Sequence, residues 1–146
     1  MSDVSQRQFV DTNILIYAHD RSAGPKHLRA KALIQELWES GSGCLSIQVL
    51  QEFYVNVTRK VAQPLTPESA AQIIGDLSVW SVHRPSVNDV LYAIRLQSRF
   101  QLSFWDAMIV ASALQLGCQV LWSEDLNPAQ VYEQISVVNP FASNAR

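Results

Sequence analysis

A chain of 146 residues, 48% hydrophobic and 16% charged, has enough apolar material for one packed core and lacks the composition of a disordered segment. Its formal net charge of −2 excludes a protein that holds nucleic acid through a basic surplus alone. If the substrate is RNA, a bound cation, a local basic patch or a partner chain has to supply part of the attraction.

The first residues, Met1 to Gln8, are polar and lack the apolar run of a signal peptide, and no stretch approaches the ~18–20 apolar residues of a membrane helix. Cys44 and Cys118 form no CxxC pair. The expectation is a cytoplasmic protein with two buried, reduced thiols and no membrane partner. There is no internal repeat and no Pro/Gly/Ser-rich linker, so one domain is expected over residues 1–146.

In chain order, Gln8–Val10 reads as a short strand ending at Asp11. Pro25–Ser40 is a helix, with Leu28, Ala32, Ile34 and Leu37 among charged neighbours, stopped by Gly41-Ser42-Gly43. Cys44–Ser46 is a second strand, followed by a helix over about Gln48–Lys60. Thr66-Pro67-Glu68 has a capping Thr and a Pro at the first helical position, opening a helix to about Leu77. Trp80–Arg84 is a third strand. Ser86 with Asp89, and Ser103 with Asp106, open helices ending near Phe100 and Gly117. Gln119–Trp122 and Ile135–Val138 are the last strands. Strands alternating with helices predict an α/β fold, a parallel sheet with helices on both faces. Ligands of such sheets bind beyond the carboxyl ends of the strands.

Four carboxylates fall at or near those ends. Asp11 follows the first strand, Asp125 follows Gln119–Trp122, Asp106 lies in the first turn of its helix, and Glu52 lies about one turn into the helix after the second strand. Asp106 shares a helix face with Ile109, Val110 and Ala113, where an unpaired carboxylate is costly. Each acid taken singly has an ordinary reading: a turn former for Asp11, a helix-start acid for Asp106, a solvated glutamate for Glu52, and a loop acid for Asp125, with Glu124 equally placed beside it. Gathered at one end of a sheet, they would repel one another and raise each other's pKa values. A hard cation such as Mg²⁺ or Mn²⁺ relieves that repulsion, and it can polarise a phosphate oxygen and activate water, which suits cutting a phosphodiester.

The segments Phe9-Val10-Asp11-Thr12-Asn13-Ile14-Leu15, Trp105-Asp106-Ala107-Met108-Ile109-Val110-Ala111, Ser123-Glu124-Asp125-Leu126 and Val137-Val138-Asn139-Pro140-Phe141, with Glu52 in its helix, resemble a PIN-domain protein, most closely a VapC-type toxin ribonuclease. The resemblance covers about residues 8–141. It implies a PIN-like three-layer sandwich and an acidic pocket holding Mg²⁺ or Mn²⁺. Within it, Asp11, Glu52 and Asp106 would be metal-organising catalytic acids with Asp125 as the fourth, and Asn13 and Ser123 would be polar supports. It also implies RNA cleavage, silencing by a small antitoxin protein, and pairing as a homodimer.

Other chemistries lack their residues. A haloacid-dehalogenase-like phosphatase needs Asp-x-Asp, but Asn13 stands two past Asp11. Asp11-Thr12-Asn13 has no glycine for a dinucleotide turn, GxSxG is absent, and His19, His27 and His83 lack zinc spacing. Two readings stay open beside the toxin: a PIN-like protein-interaction module with a vestigial site, and a housekeeping RNA-processing PIN nuclease. Lys26, His27, Arg29 and Lys31 form a basic cluster that could hold RNA phosphates or be a solvated helix face. Trp38, Phe53, Tyr54, Trp80 and Trp105 are expected to be mostly core.

Overall fold

The architecture, taken from a computed structural model that describes residues 6–128 and 130–142, is an α/β fold around a mostly parallel six-stranded sheet. In chain order the elements are β1 (Gln8–Val10), α1 (Thr12–Ala18), α2 (Pro25–Ser40), β2 (Gly43–Ser46), α3 (Ile47–Arg59), α4 (Pro67–Leu77), β3 (Ser81–His83), α5 (Val87–Phe100), α6 (Phe104–Gln115), β4 (Val120–Trp122), β5 (Val131–Tyr132) and β6 (Ile135–Val138), with a short 3₁₀ turn at Arg21–Ala23. The strand order is β3-β2-β1-β4-β6-β5. Among the described residues, only the β5–β6 pair is antiparallel. The chain winds outward from β1 to β2 and β3, then returns to lay β4 and β6 on the other side of β1. The crevice at the carboxyl ends of β1 and β4 is therefore the topological switch point, where open α/β sheets bind ligands.

Local chemistry fixes most helix ends. Ser46, Thr66, Ser86 and Ser103 each cap a helix by accepting a backbone N–H three residues on, and Ser86 and Asp89 complete a reciprocal capping box. Gly41 ends α2 in the left-handed conformation, its N–H returned to the Leu37 carbonyl. Phe9, Val10, Leu45 and Leu121 of the central strands are fully buried against Ile14, Leu15, Phe53, Val110 and other helix residues, forming one apolar core. Cys44 and Cys118 are buried and unbridged. No helix among the described residues is long and apolar enough to cross a membrane.

Two elements have no counterpart in the sequence reading. Helix α1 fills the stretch after Asp11, where Ile14, Leu15 and Ile16 run together without a polar period; its helicity comes from packing against α2 and α3. The two-residue β5 is held by its hairpin with β6, whose turn places Glu133 at φ +57°. The aromatic expectation is corrected as well. Phe53 and Trp80 are core, but Trp38, Tyr54 and Trp105 are 41%, 38% and 62% exposed, each lying on an outward helix face.

The three histidines are structural. His19 and His27 each use Nδ1 on a backbone carbonyl, of Leu15 and Tyr17. His83 lies between Asp89 (3.2 Å from Nε2) and Ser112 (2.8 Å from Nδ1). That Ser–His–Asp chain is no hydrolase site, because Ser112 is completely buried in α6. It pins β3 to α5 and α6.

Candidate active site

The switch point gathers the predicted acids through two small hydroxyl residues. The Asp11 N–H donates to the Trp122 carbonyl (2.9 Å), which locks the end of β1 to the end of β4. The Asp11 carboxylate then accepts the Thr12 N–H at 2.7 Å on Oδ1 and the Ser123 hydroxyl at 2.7 Å on Oδ2. Thr12 also turns its own hydroxyl to Glu52 Oε1 at 2.6 Å, so a single residue bridges two of the acids across the β1–α3 gap. Ser123 is fully buried, and its oxygen accepts the N–H groups of Asp125 and Leu126, both at 3.2 Å. The chain Glu52–Thr12–Asp11–Ser123–Asp125 is thereby a connected network.

Glu52 is held on its other oxygen by Gln48 Nε2 (3.1 Å), one helical turn earlier. The same amide donates to the Trp105 carbonyl (3.2 Å), tying α3 to the first turn of α6. Asp106 sits in that turn, capped by Ser103, whose Oγ accepts the Asp106 N–H at 3.1 Å.

The electrostatics are those of a strained acid cluster. Burial pushes the Asp11 carboxyl up to about 6, against the lowering effect of its Ser123 and Thr12 hydrogen bonds, and the neighbouring charges of Asp106 and Asp125 raise it further. Asp106 is raised too, first by burial and then by repulsion from Asp125 and Glu52, with Ser103 opposing. All four acids therefore sense at least one other.

Adjacent Glu124 and Asp125 part company here. Glu124 accepts from the Tyr17 hydroxyl (2.8 Å) and pairs with Lys26, whereas Asp125 is exposed at the cluster and acts on both Asp11 and Asp106. The basic cluster is likewise engaged in structure: Lys26 holds Glu124, and Arg29 donates to the Pro140 carbonyl at 3.2 Å and lies 5.9 Å over the Trp122 ring.

Asn13, expected as a support, has both amide atoms buried without a hydrogen-bond partner, a state that costs about 1–3 kcal/mol when nothing fills it. Thr12 and Gln48 were not picked out from sequence. Their signals were adjacency to Asp11 and the i, i+4 spacing of Gln48 to Glu52.

Among the described residues, no three His, Cys, Asp or Glu side chains close into a ready-made metal cage. The donor set nevertheless fits a hard ion of the Mg²⁺ type. It is all oxygen and carries excess negative charge, an unsatisfied amide lies two residues from Asp11, and Mg²⁺ commonly takes one or two carboxylates while keeping several waters. Two adjoining cavities, about 520 and 410 Å³, lie around His19, Ile34 and Trp38 and contain none of the four acids. A small, open, polar acid cluster is not the kind of apolar concavity that makes a large pocket.

Residues 9–134 match the PIN domain model, and the chain belongs to that family. Among curated proteins, none matches. The fold is similar to that of the VapC20 toxin of Mycobacterium tuberculosis, described as cleaving the sarcin-ricin loop (23% identity, TM-score 0.66, 88% of this chain and 98% of that one). It is also similar to a chain in a toxin–antitoxin complex from Klebsiella pneumoniae (19%, TM-score 0.68, 92% and 98%) and to one in DNA-bound VapBC from Salmonella typhimurium (18%, TM-score 0.63, 91% and 97%).

Proposed function

We propose that the chain is a Mg²⁺- or Mn²⁺-dependent endoribonuclease that hydrolyses RNA phosphodiester bonds and acts as the toxin of a VapBC-type pair, held in check by a small antitoxin. The observation that carries this reading is Asp11: a buried carboxylate at the switch point, raised by its surroundings and flanked by two further acids, is a poor structural choice and a good cation site. PIN-family membership and the likeness to toxin structures support it.

A bound divalent ion would supply Lewis-acid polarisation of the phosphate and favour attack by water. Asp11, Asp106 and Asp125 would hold it, with Glu52 beside them. Thr12 and Ser123 fix the Asp11 carboxylate, and Thr12 and Gln48 that of Glu52, so little reorganisation of these two accompanies binding.

The decisive experiment incubates the protein with total RNA and Mg²⁺ or Mn²⁺, with and without EDTA, beside Asp106→Asn, which keeps the shape and removes the charge. Defined fragments are expected from the wild type, lost on chelation and reduced roughly hundredfold or more in the folded variant. Wild type and variant behaving alike, with no metal-dependent fragments, would favour the interaction-module reading instead.

The homodimer expected of this class has an available surface. Val87, Leu91 and Ile94, at i, i+4 and i+7 of α5, form a neutral apolar stripe with 75%, 50% and 48% exposure. Placing a charge there, as Leu91→Glu, should turn a dimer into a monomer by sedimentation. A wild type that is already monomeric, or a variant that still pairs, would remove this surface from the reading.

A further inference from the structure

Acids that gather a cation also repel RNA phosphates wherever the cation does not shield them, and two nearby cations are spent on internal contacts, Lys26 on Glu124 and Arg29 on the Pro140 carbonyl. Substrate has to be held there partly by contacts that do not depend on charge. One side chain is placed to supply them. Trp105 directly precedes Asp106 in the first turn of α6 and is 62% exposed, the most exposed aromatic among the described residues.

It is also anchored. Its ring meets Phe104 edge-on, with centroids 5.0 Å apart and planes at 76°. Its carbonyl is gripped by the Gln48 amide that also grips Glu52, so the backbone that carries the indole is tied to a site acid. An open indole one residue from Asp106, in the first turn of α6, is suited to stacking on a nucleobase, whose π-face is offered only when the base is unpaired or splayed out.

We propose that Trp105 is a substrate-positioning residue whose indole stacks on an unpaired base next to the scissile phosphate. This rests on the nuclease reading above. Stacking is sequence-tolerant, so Trp105 would select the structural context of the cut and leave base identity to other contacts.

The test uses an oligonucleotide spanning a mapped cut site, with an abasic nucleotide walked through the flanking positions, against wild type, Trp105→Ala and Trp105→Phe. One abasic position should raise KM of the wild type roughly tenfold and leave KM of Trp105→Ala unchanged. On the intact oligonucleotide, Trp105→Ala should raise KM by a similar factor with the loss in KM rather than kcat, and Trp105→Phe should recover most of it. An abasic profile identical in wild type and Trp105→Ala overturns the proposal while leaving the nuclease reading intact. So does a Trp105→Ala that becomes monomeric by sedimentation and loses activity equally at every position, which would make the indole a contact between copies. A wild type that cuts no RNA removes the nuclease reading and this proposal together.

Discussion

Asp11→Asn is expected to abolish metal-dependent cleavage and at the same time to raise the melting temperature of the metal-free protein above pH 7. In the fold the Asp11 carboxyl titrates near 6, against 3.8 for an ordinary aspartate, because burial outweighs the two hydrogen bonds that favour its charge. A carboxyl raised on folding binds its proton more tightly in the native state. Its contribution to stability is therefore fully present below pH 3.8 and is lost as pH rises through 6. Above that range the ionised group costs the metal-free fold up to about 3 kcal/mol.

Asparagine removes this cost but can accept only one of the two donors, Thr12 N–H and Ser123 O–H, which returns about 1 kcal/mol of the gain. The balance is a net stabilisation of about 1–2 kcal/mol at pH 8, shrinking and then reversing as pH falls below 5. Mg²⁺ should narrow the difference by binding and stabilising the wild type alone. Cleavage should fall roughly hundredfold or more. Thermal melts at pH 4.5 and 8, with and without Mg²⁺, read the first part, and fragment yield from RNA reads the second. A variant destabilised equally at both pH values would mean that the buried charge is not under strain.

That Asp11 lies at the carboxyl end of a strand was legible from sequence, because strand ends, helix caps and glycine stops are local signals; that this end is the switch point depends on the strand order. Thr66, Ser86 and Ser103 each cap their helix as the spacing predicts, whereas Ser46, also a cap, reads from sequence only as a strand end. What the sequence could not carry is the pairing of distant groups. Thr12 reaches Glu52 forty residues on, and nothing in either segment announces it. Glu124 and Asp125 are chemically equivalent neighbours, separated only by where Tyr17 and Lys26 arrive from α1 and α2. The same arrival turns part of an apparent RNA-binding basic cluster into internal packing. Helix α1 was hidden for a related reason: the unbroken apolar run over residues 14–18, within its seven residues, has no period to read, and its conformation is decided by what it packs against.

The second large effect lies away from the acids. Gly43 opens β2 with its α-carbon against the Trp80 ring. A Cβ there would fall 2.5 Å from Cε3 and Cζ3 and 2.8 Å from Cη2, well inside contact distance. Trp80 is a large, nearly buried ring packed edge-on against Trp38 at 5.5 Å, so Gly43→Ala forces either the indole or β2 to move. The expected cost is about 1–3 kcal/mol, read as a lower urea midpoint. Because β2 runs into Ser46, the cap of the helix that carries Gln48 and Glu52, displacement of the strand would reach the acid cluster through α3. If the clash is the cause, a smaller side chain at position 80 relieves it. Trp80→Leu combined with Gly43→Ala should then cost less than the sum of the two single changes, by at least about 0.5 kcal/mol. Additive costs would show that the glycine is required for some reason other than the ring against it.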